Sequence, residues 1–437
     1  MSWQRLGLAA AVLVFFLLGF FLGREIGAEN SPSGNDASGQ AQPTAIASPA
    51  GTPAATSQEP SATPASRVAG LPLEVKIGQM MMAGFAGTSV DVDVASLIEQ
   101  YHLGNVVLFG PNVTAPDSLR ALTTEIQQRA QEQNEGLPAL ISADQEGGTV
   151  TRLTSDFGYT EFPNAQVLGC IDDPQLTREV GRVMGEEMRA VGINMDLAPV
   201  LDVNDNPANP VIGPRAFGSA PTVVSTNGLA FMAGLQSTGV AATGKHYPGH
   251  GNTSVDSHEA LPVVNKTREE LETTELAPFA AAVGQGSADV IMTAHVLYPA
   301  LDPDLPATLS PSIIDGVLRS ELGFGGVVMT DSLNMGAIAE ITTVGEAAVQ
   351  SVEAGVDLIA FSSSASTASI YESLLEAVQS GRISEERIDQ SVERILAMKD
   401  RLGVGPDWAG DPAAVGSADH QAVRQQVADQ AAATGCG

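Results

Sequence analysis

Between Leu71 and Leu402, short apolar runs alternate with longer amphipathic ones, eight times over. The apolar runs fall at 79–85, 105–109, 139–143, 193–201, 240–245, 290–294, 326–330 and 357–361. Helical periodicity fills the gaps, as at 115–133, 175–190, 268–283 and 312–321. Asp173-Pro174 and Ser310-Pro311 read as helix starts, each pairing a capping residue with a proline in the first turn. Strands separated by helices must run parallel, because only a long crossover returns the chain to the same edge. Eight such units over this length fit a (β/α)8 TIM-type barrel. A doubly wound sheet would place a glycine-rich phosphate loop after its first strand, and Phe85-Ala86-Gly87-Thr88 is not one.

The chain outside this repeat has a different character. Residues 6–23 carry no charge and are rich in Leu, Val, Phe and Ala. At ~1.5 Å per residue such a helix nearly crosses a bilayer core. The run is long for a secretory signal, and Gly27 and Ala28 make a poor cleavage site, which favours an uncleaved anchor. Ser, Pro, Ala, Thr and Gly dominate the stretch that follows, and this composition buries too little to fold. The expected division is therefore an anchor or signal segment over 1–29, a tether over 30–67, a barrel over 68–405 and a tail over 406–437. An anchor and a tether place the barrel outside the cytoplasmic membrane, or free in the medium if the segment is cleaved. A net charge of −30 argues against nucleic acid as a partner. The chain has two cysteines, Cys170 and Cys436, too few for a disulfide scaffold or a cysteine-rich metal site. No motif speaks to oligomeric state.

Chemistry-bearing residues cluster just after the expected strands, where a barrel keeps its active site. Asp144-Gln145-Glu146-Gly147-Gly148 follows the third, Asn209-Pro210 through Arg215 the fourth, and Lys245-His246-Tyr247-Pro248-Gly249-His250-Gly251 the fifth. The sixth leads to His295 and the seventh delivers Asp331. Three of the six histidines lie between 245 and 258. In Asp256-Ser257-His258 a carboxylate two residues from an imidazole can fix its tautomer and raise its basicity, as a general acid/base requires. A zinc site of His246, His250 and His258 is the competing reading, although the helical spacing of known zinc motifs is absent. Asp331 serves equally as a catalyst or as the cap of a helix starting near Ser332. Asp144, Lys245 and His246 suit the hydroxyls of a sugar, and Arg152, Arg215 and Lys245 suit hydroxyls or carbonyls, or else each cation pairs with a structural carboxylate.

These motifs resemble those of the bacterial β-N-acetylglucosaminidases of glycoside hydrolase family 3. The likeness runs from Lys76-Ile77-Gly78-Gln79-Met80 to about Leu402 and is most specific from Lys245 to His258. It implies a retaining exo-acting enzyme that needs no metal or other cofactor. Its substrates would be N-acetylglucosamine-containing glycans, either muropeptides or chitin-like oligosaccharides. It further implies Asp331 as nucleophile, His258 as general acid/base and Asp256 as its orienting partner. Asp144, Arg152, Arg215, Lys245 and His246 would bind the terminal sugar. Tyr247 stands where relatives usually carry Phe, and Thr149 where many carry Arg. Residues 420–433 resemble the opening of a second domain found in longer members. Competing expectations are a surface protein that binds glycans without cleaving them, a metal-dependent hydrolase and a phosphorolytic variant.

Overall fold

The computed structural model describes residues 64–436. The expected anchor and nearly all of the tether lie outside these residues. Among the described residues no helix is long and apolar enough to cross a membrane.

Eight parallel strands form one sheet: β1 Met81–Gly84, β2 Asn105–Leu108, β3 Leu140–Ala143, β4 Met195–Asp196, β5 Ala241–Tyr247, β6 Val290–Thr293, β7 Val327–Thr330 and β8 Ile359–Phe361. Their order is β7-β6-β5-β4-β3-β2-β1-β8, and a parallel bridge from Met329 to Leu358 links the two ends. This is the (β/α)8 barrel that the repeat predicts. Every strand residue is buried, since helices cover the outer face and side chains fill the inner one. That double burial explains the continuous apolar runs.

Helix starts follow the expected chemistry. Asp173 caps the helix Pro174–Ala190 by accepting from the amides of Gln175 and Leu176. Ser310 Oγ takes the Ile313 amide at 3.1 Å at the head of the helix Ser312–Glu321. Two expectations are corrected. The pattern over 268–283 is two helices, Arg268–Thr273 and Leu276–Gly284. A continuous helix would set the Pro278 ring against the carbonyl of Thr274, so the break moves the proline into a first turn. The expected strand over 193–201 pairs regularly only at Met195–Asp196. Beyond it, Pro199 has no N–H to give, and the chain holds to β5 through single bonds such as Thr243 N to Ala198 O at 2.8 Å.

The C-terminal segment is a helix, Ala418–Thr434, packed on the helices Ala165–Ile171 and Pro174–Ala190. A disulfide joins Cys170 to Cys436 across 266 residues. Two isolated cysteines gave no hint of a pairing at that distance.

Candidate active site

The C-terminal ends of the strands open into a cavity of about 350 Å³. Seven of the eight expected site residues line it: Asp144, Arg152, Arg215, Lys245, His246, His258 and Asp331. The eighth, Asp256, stands behind His258.

Ion pairing organises one wall. Lys245, at 2% exposure on β5, donates to Asp144 at 2.8 Å and lies 2.7 Å from Glu146. Arg152 reaches the other Asp144 oxygen at 3.1 Å. Arg215 grips both oxygens of Glu146 at 2.8 Å, the bidentate geometry that suits a guanidinium. Burial pushes both carboxyls up, but the cations outweigh it. Lys245 and Arg152 hold Asp144 below the usual range, and Lys245 and Arg215 bring Glu146 to about 2. Burial likewise lowers Lys245, yet Asp144 and Glu146 outweigh it and keep the ammonium charged. Asp196 on β4 behaves differently. Its own burial, with Asp144 and Glu146 nearby, raises it well above a normal carboxyl, and one of its oxygens has no partner. Burial thus disfavours a third negative charge in the cluster.

This wall depends on the turn after β3. Gly147 and Gly148 sit at φ of 92° and 58°, where side chains are strained. A Cβ on Gly148 would also lie 2.1 Å from the Asn164 side chain. The Asn164 carbonyl oxygen instead accepts from the Thr149 amide at 2.9 Å and fixes the turn.

The histidines divide by partner. Asp202, fully buried, accepts from His246 Nδ1 at 2.7 Å and from the backbone amides of His246 and His250. An ionised carboxylate only accepts, so the proton sits on Nδ1 and Nε2 is left for the cavity. His250 engages Thr253 through Nδ1 and Ser257 through Nε2, and burial lowers it to about 4. With both nitrogens occupied it is a structural histidine, and the three-histidine zinc reading loses its middle ligand. Among the described residues no group of three or more His, Cys, Asp or Glu is arranged to hold a metal ion. His258 is 62% exposed, and Asp256 accepts from its Nδ1 at 2.8 Å and from its backbone amide at 2.9 Å. Burial raises Asp256, but these bonds together with the His258 and His250 rings outweigh it and hold the carboxyl below its ordinary value.

Asp331 leaves β7 directly into the cavity. The next helix begins only at Gly336, so Asp331 is not its cap. It accepts from the Ser332 amide at 2.7 Å. Burial raises its carboxyl, whereas His246, His295, that amide and Lys245 together hold it below the ordinary value. A half-buried, unprotonated carboxylate near imidazoles can attack an electrophilic carbon.

Sequence reasoning passed over Glu146 and Asp202 as site residues. Glu146 lay inside a quoted motif. Asp202 carried the same mark as Asp331, a carboxylate ending an apolar run.

Residues 72–398 match the glycosyl hydrolase family 3 N terminal domain. The chain belongs to this family. Similar proteins include beta-hexosaminidase A of Pseudoalteromonas piscicida, 35% identical over 338 residues, which cover 72% of this chain and 56% of that one. The chain thus spans little more than half of that relative. The beta-hexosaminidase of Alkalilimnicola ehrlichii is 39% identical over 289 residues, covering 65% of this chain and 80% of its own. Among solved structures, a family 3 beta-N-acetylglucosaminidase from Paenibacillus sp. str. FPU-7 superposes with a TM-score of 0.79 at 46% identity. It is matched over 83% of this chain and 69% of its own. This family 3 chain therefore shares both sequence and barrel with hexosaminidases.

Proposed function

We propose that this protein is a retaining exo-β-N-acetylglucosaminidase acting on N-acetylglucosamine-containing glycans. The observation that carries the reading is the meeting of Asp331 and the Asp256-oriented His258 in one cavity with the Asp144–Lys245–Arg152 cluster. The charged cluster offers donors and acceptors to the hydroxyls of the terminal sugar, with Arg215 and His246 beside it. In the first step an Asp331 oxygen bonds to the anomeric carbon while the glycosidic C–O bond breaks. The departing oxygen takes the proton from His258 Nε2, since Nδ1 is held by Asp256. In the second step His258 removes a proton from water, whose oxygen displaces Asp331 and frees the sugar. The usual partner of the nucleophile is a second carboxylic acid. An imidazole does the same work near neutral pH without setting two carboxylates against each other.

Turnover of an aryl β-N-acetylglucosaminide tests this reading. His258→Ala should lower kcat by roughly 10²- to 10⁴-fold, the usual worth of a general acid/base, and Asp331→Ala should abolish turnover. Unchanged rates in both variants would remove the assignment. The protein is further proposed to work outside the cytoplasm, held to the membrane by residues 6–23 or released by cleavage. The Cys170–Cys436 disulfide supports an oxidising compartment.

A further inference from the structure

We propose, resting on the glycosidase reading above, that the leaving-group side of the cavity selects uncharged sugars over sugars that carry a carboxylate. The acid/base marks that side, because the departing oxygen must pass His258. Two backbone bonds join the His258 loop to the segment after β7, from the Gly336 amide to His258 O at 3.1 Å and from the Ala337 amide to Ser257 O at 3.2 Å. The cavity-lining groups there are Ser257, Ser332, Asn334 and Met335, joined by Ser362 after β8. None bears a charge. Hydrogen bonds brace this rim: the Ser362 amide donates to Ser332 Oγ at 3.0 Å, and the Asn334 amide nitrogen to Ser366 Oγ at 2.8 Å.

The cations that line the cavity each already have a carboxylate partner, although Arg152 Nε has none of its own. Arg152 and Lys245 pair with Asp144, and Arg215 and Lys245 pair with Glu146. Each of the three cations has a carboxylate within 3.1 Å. Near His258 the charged side chains are acids. Asp256 holds the ring, Glu259 is exposed beside it, and Glu340 accepts from the Leu261 amide at 3.1 Å on the same loop. An anionic leaving group would meet these carboxylates, while each cation lining the cavity among the described residues already has a carboxylate partner. A body charge near −30 adds a long-range repulsion that salt screens. A second N-acetylglucosamine, as in a chitin-type oligosaccharide, carries no charge and meets hydroxyls, an amide and the Met335 side chain.

The experiment compares four substrates on the full chain. They are an aryl β-N-acetylglucosaminide, N,N′-diacetylchitobiose, N-acetylglucosaminyl-β-1,4-N-acetylmuramic acid and the lactyl methyl ester of that disaccharide. The expected result is a kcat/KM for chitobiose and for the ester about tenfold above that of the free acid, the effect of roughly one like charge near the mouth. High salt should narrow that gap, and Ser362→Lys should raise the ratio of free acid to ester. A free acid cleaved as well as its ester would overturn the proposal. So would an ester as poor as the acid, since bulk would then decide. Failure on the aryl glycoside would instead overturn the glycosidase reading itself.

Discussion

Asp202 has no exposed surface, yet it decides which ring nitrogen His246 turns to the cavity. Its carboxylate fixes the ring through Nδ1 and ties the backbone on both sides of the Lys245–His250 turn. Burial raises its carboxyl, but His246 and His250 outweigh that and keep it ionised. An asparagine would fill the same space and offer an N–H, letting the ring place its proton on Nε2. Asp202→Asn should therefore cost on the order of 10- to 100-fold in kcat/KM and change the pH profile, with thermal stability close to wild type. An unchanged profile with full activity would show that the tautomer does not matter. Legibility in sequence differs from residue to residue here. Asp331 and Asp144 stood out because each is a carboxylate set abruptly at a strand end, and His258 because it follows Asp256 by two residues in a histidine-rich stretch. Glu146 and Asp202 work through other side chains, and only their partners, folded against them, reveal what they do.

At the scale of elements, the strands were the most legible. A strand covered on both faces must be apolar throughout, so β2, β3, β6 and β7 fall within a residue of the runs at 105–109, 139–143, 290–294 and 326–330. The helix break at Thr274 and the short β4 were hidden, because a single proline decides each against the surrounding pattern. The C-terminal helix depended on distant contacts. His420 binds Glu187 and Glu186 at 2.9 Å through its two ring nitrogens. Burial lowers its pKa, but the two carboxylates outweigh it and raise it. This docking stabilises fully below the ordinary histidine range and is lost as pH rises through the raised value. The disulfide and the buried Val423, Val427 and Ala431 then hold the helix. Its other half is on Ala165–Ile171, where a Cβ on Gly169 would lie 1.8 Å from Phe217 O, so that helix backs the Arg215 loop. Cys436→Ser should speed hydrogen exchange over 418–434, most at alkaline pH, while strand amides stay protected. Equal protection in variant and wild type would show that packing alone holds the helix.

For the whole molecule, the barrel brings together residues that lie up to 187 positions apart, from Asp144 to Asp331, at one mouth. Its body is strongly acidic, and the cations at that mouth are drawn into carboxylate pairs. The proposed reaction passes through a covalent bond at Asp331. Its most direct test is incubation with a 5-fluoro-N-acetylglucosaminyl fluoride, followed by mass spectrometry of the digested protein. The account predicts one glycosyl label, on the peptide containing Asp331. A label on another residue, or inactivation of the enzyme with no label at all, would contradict it.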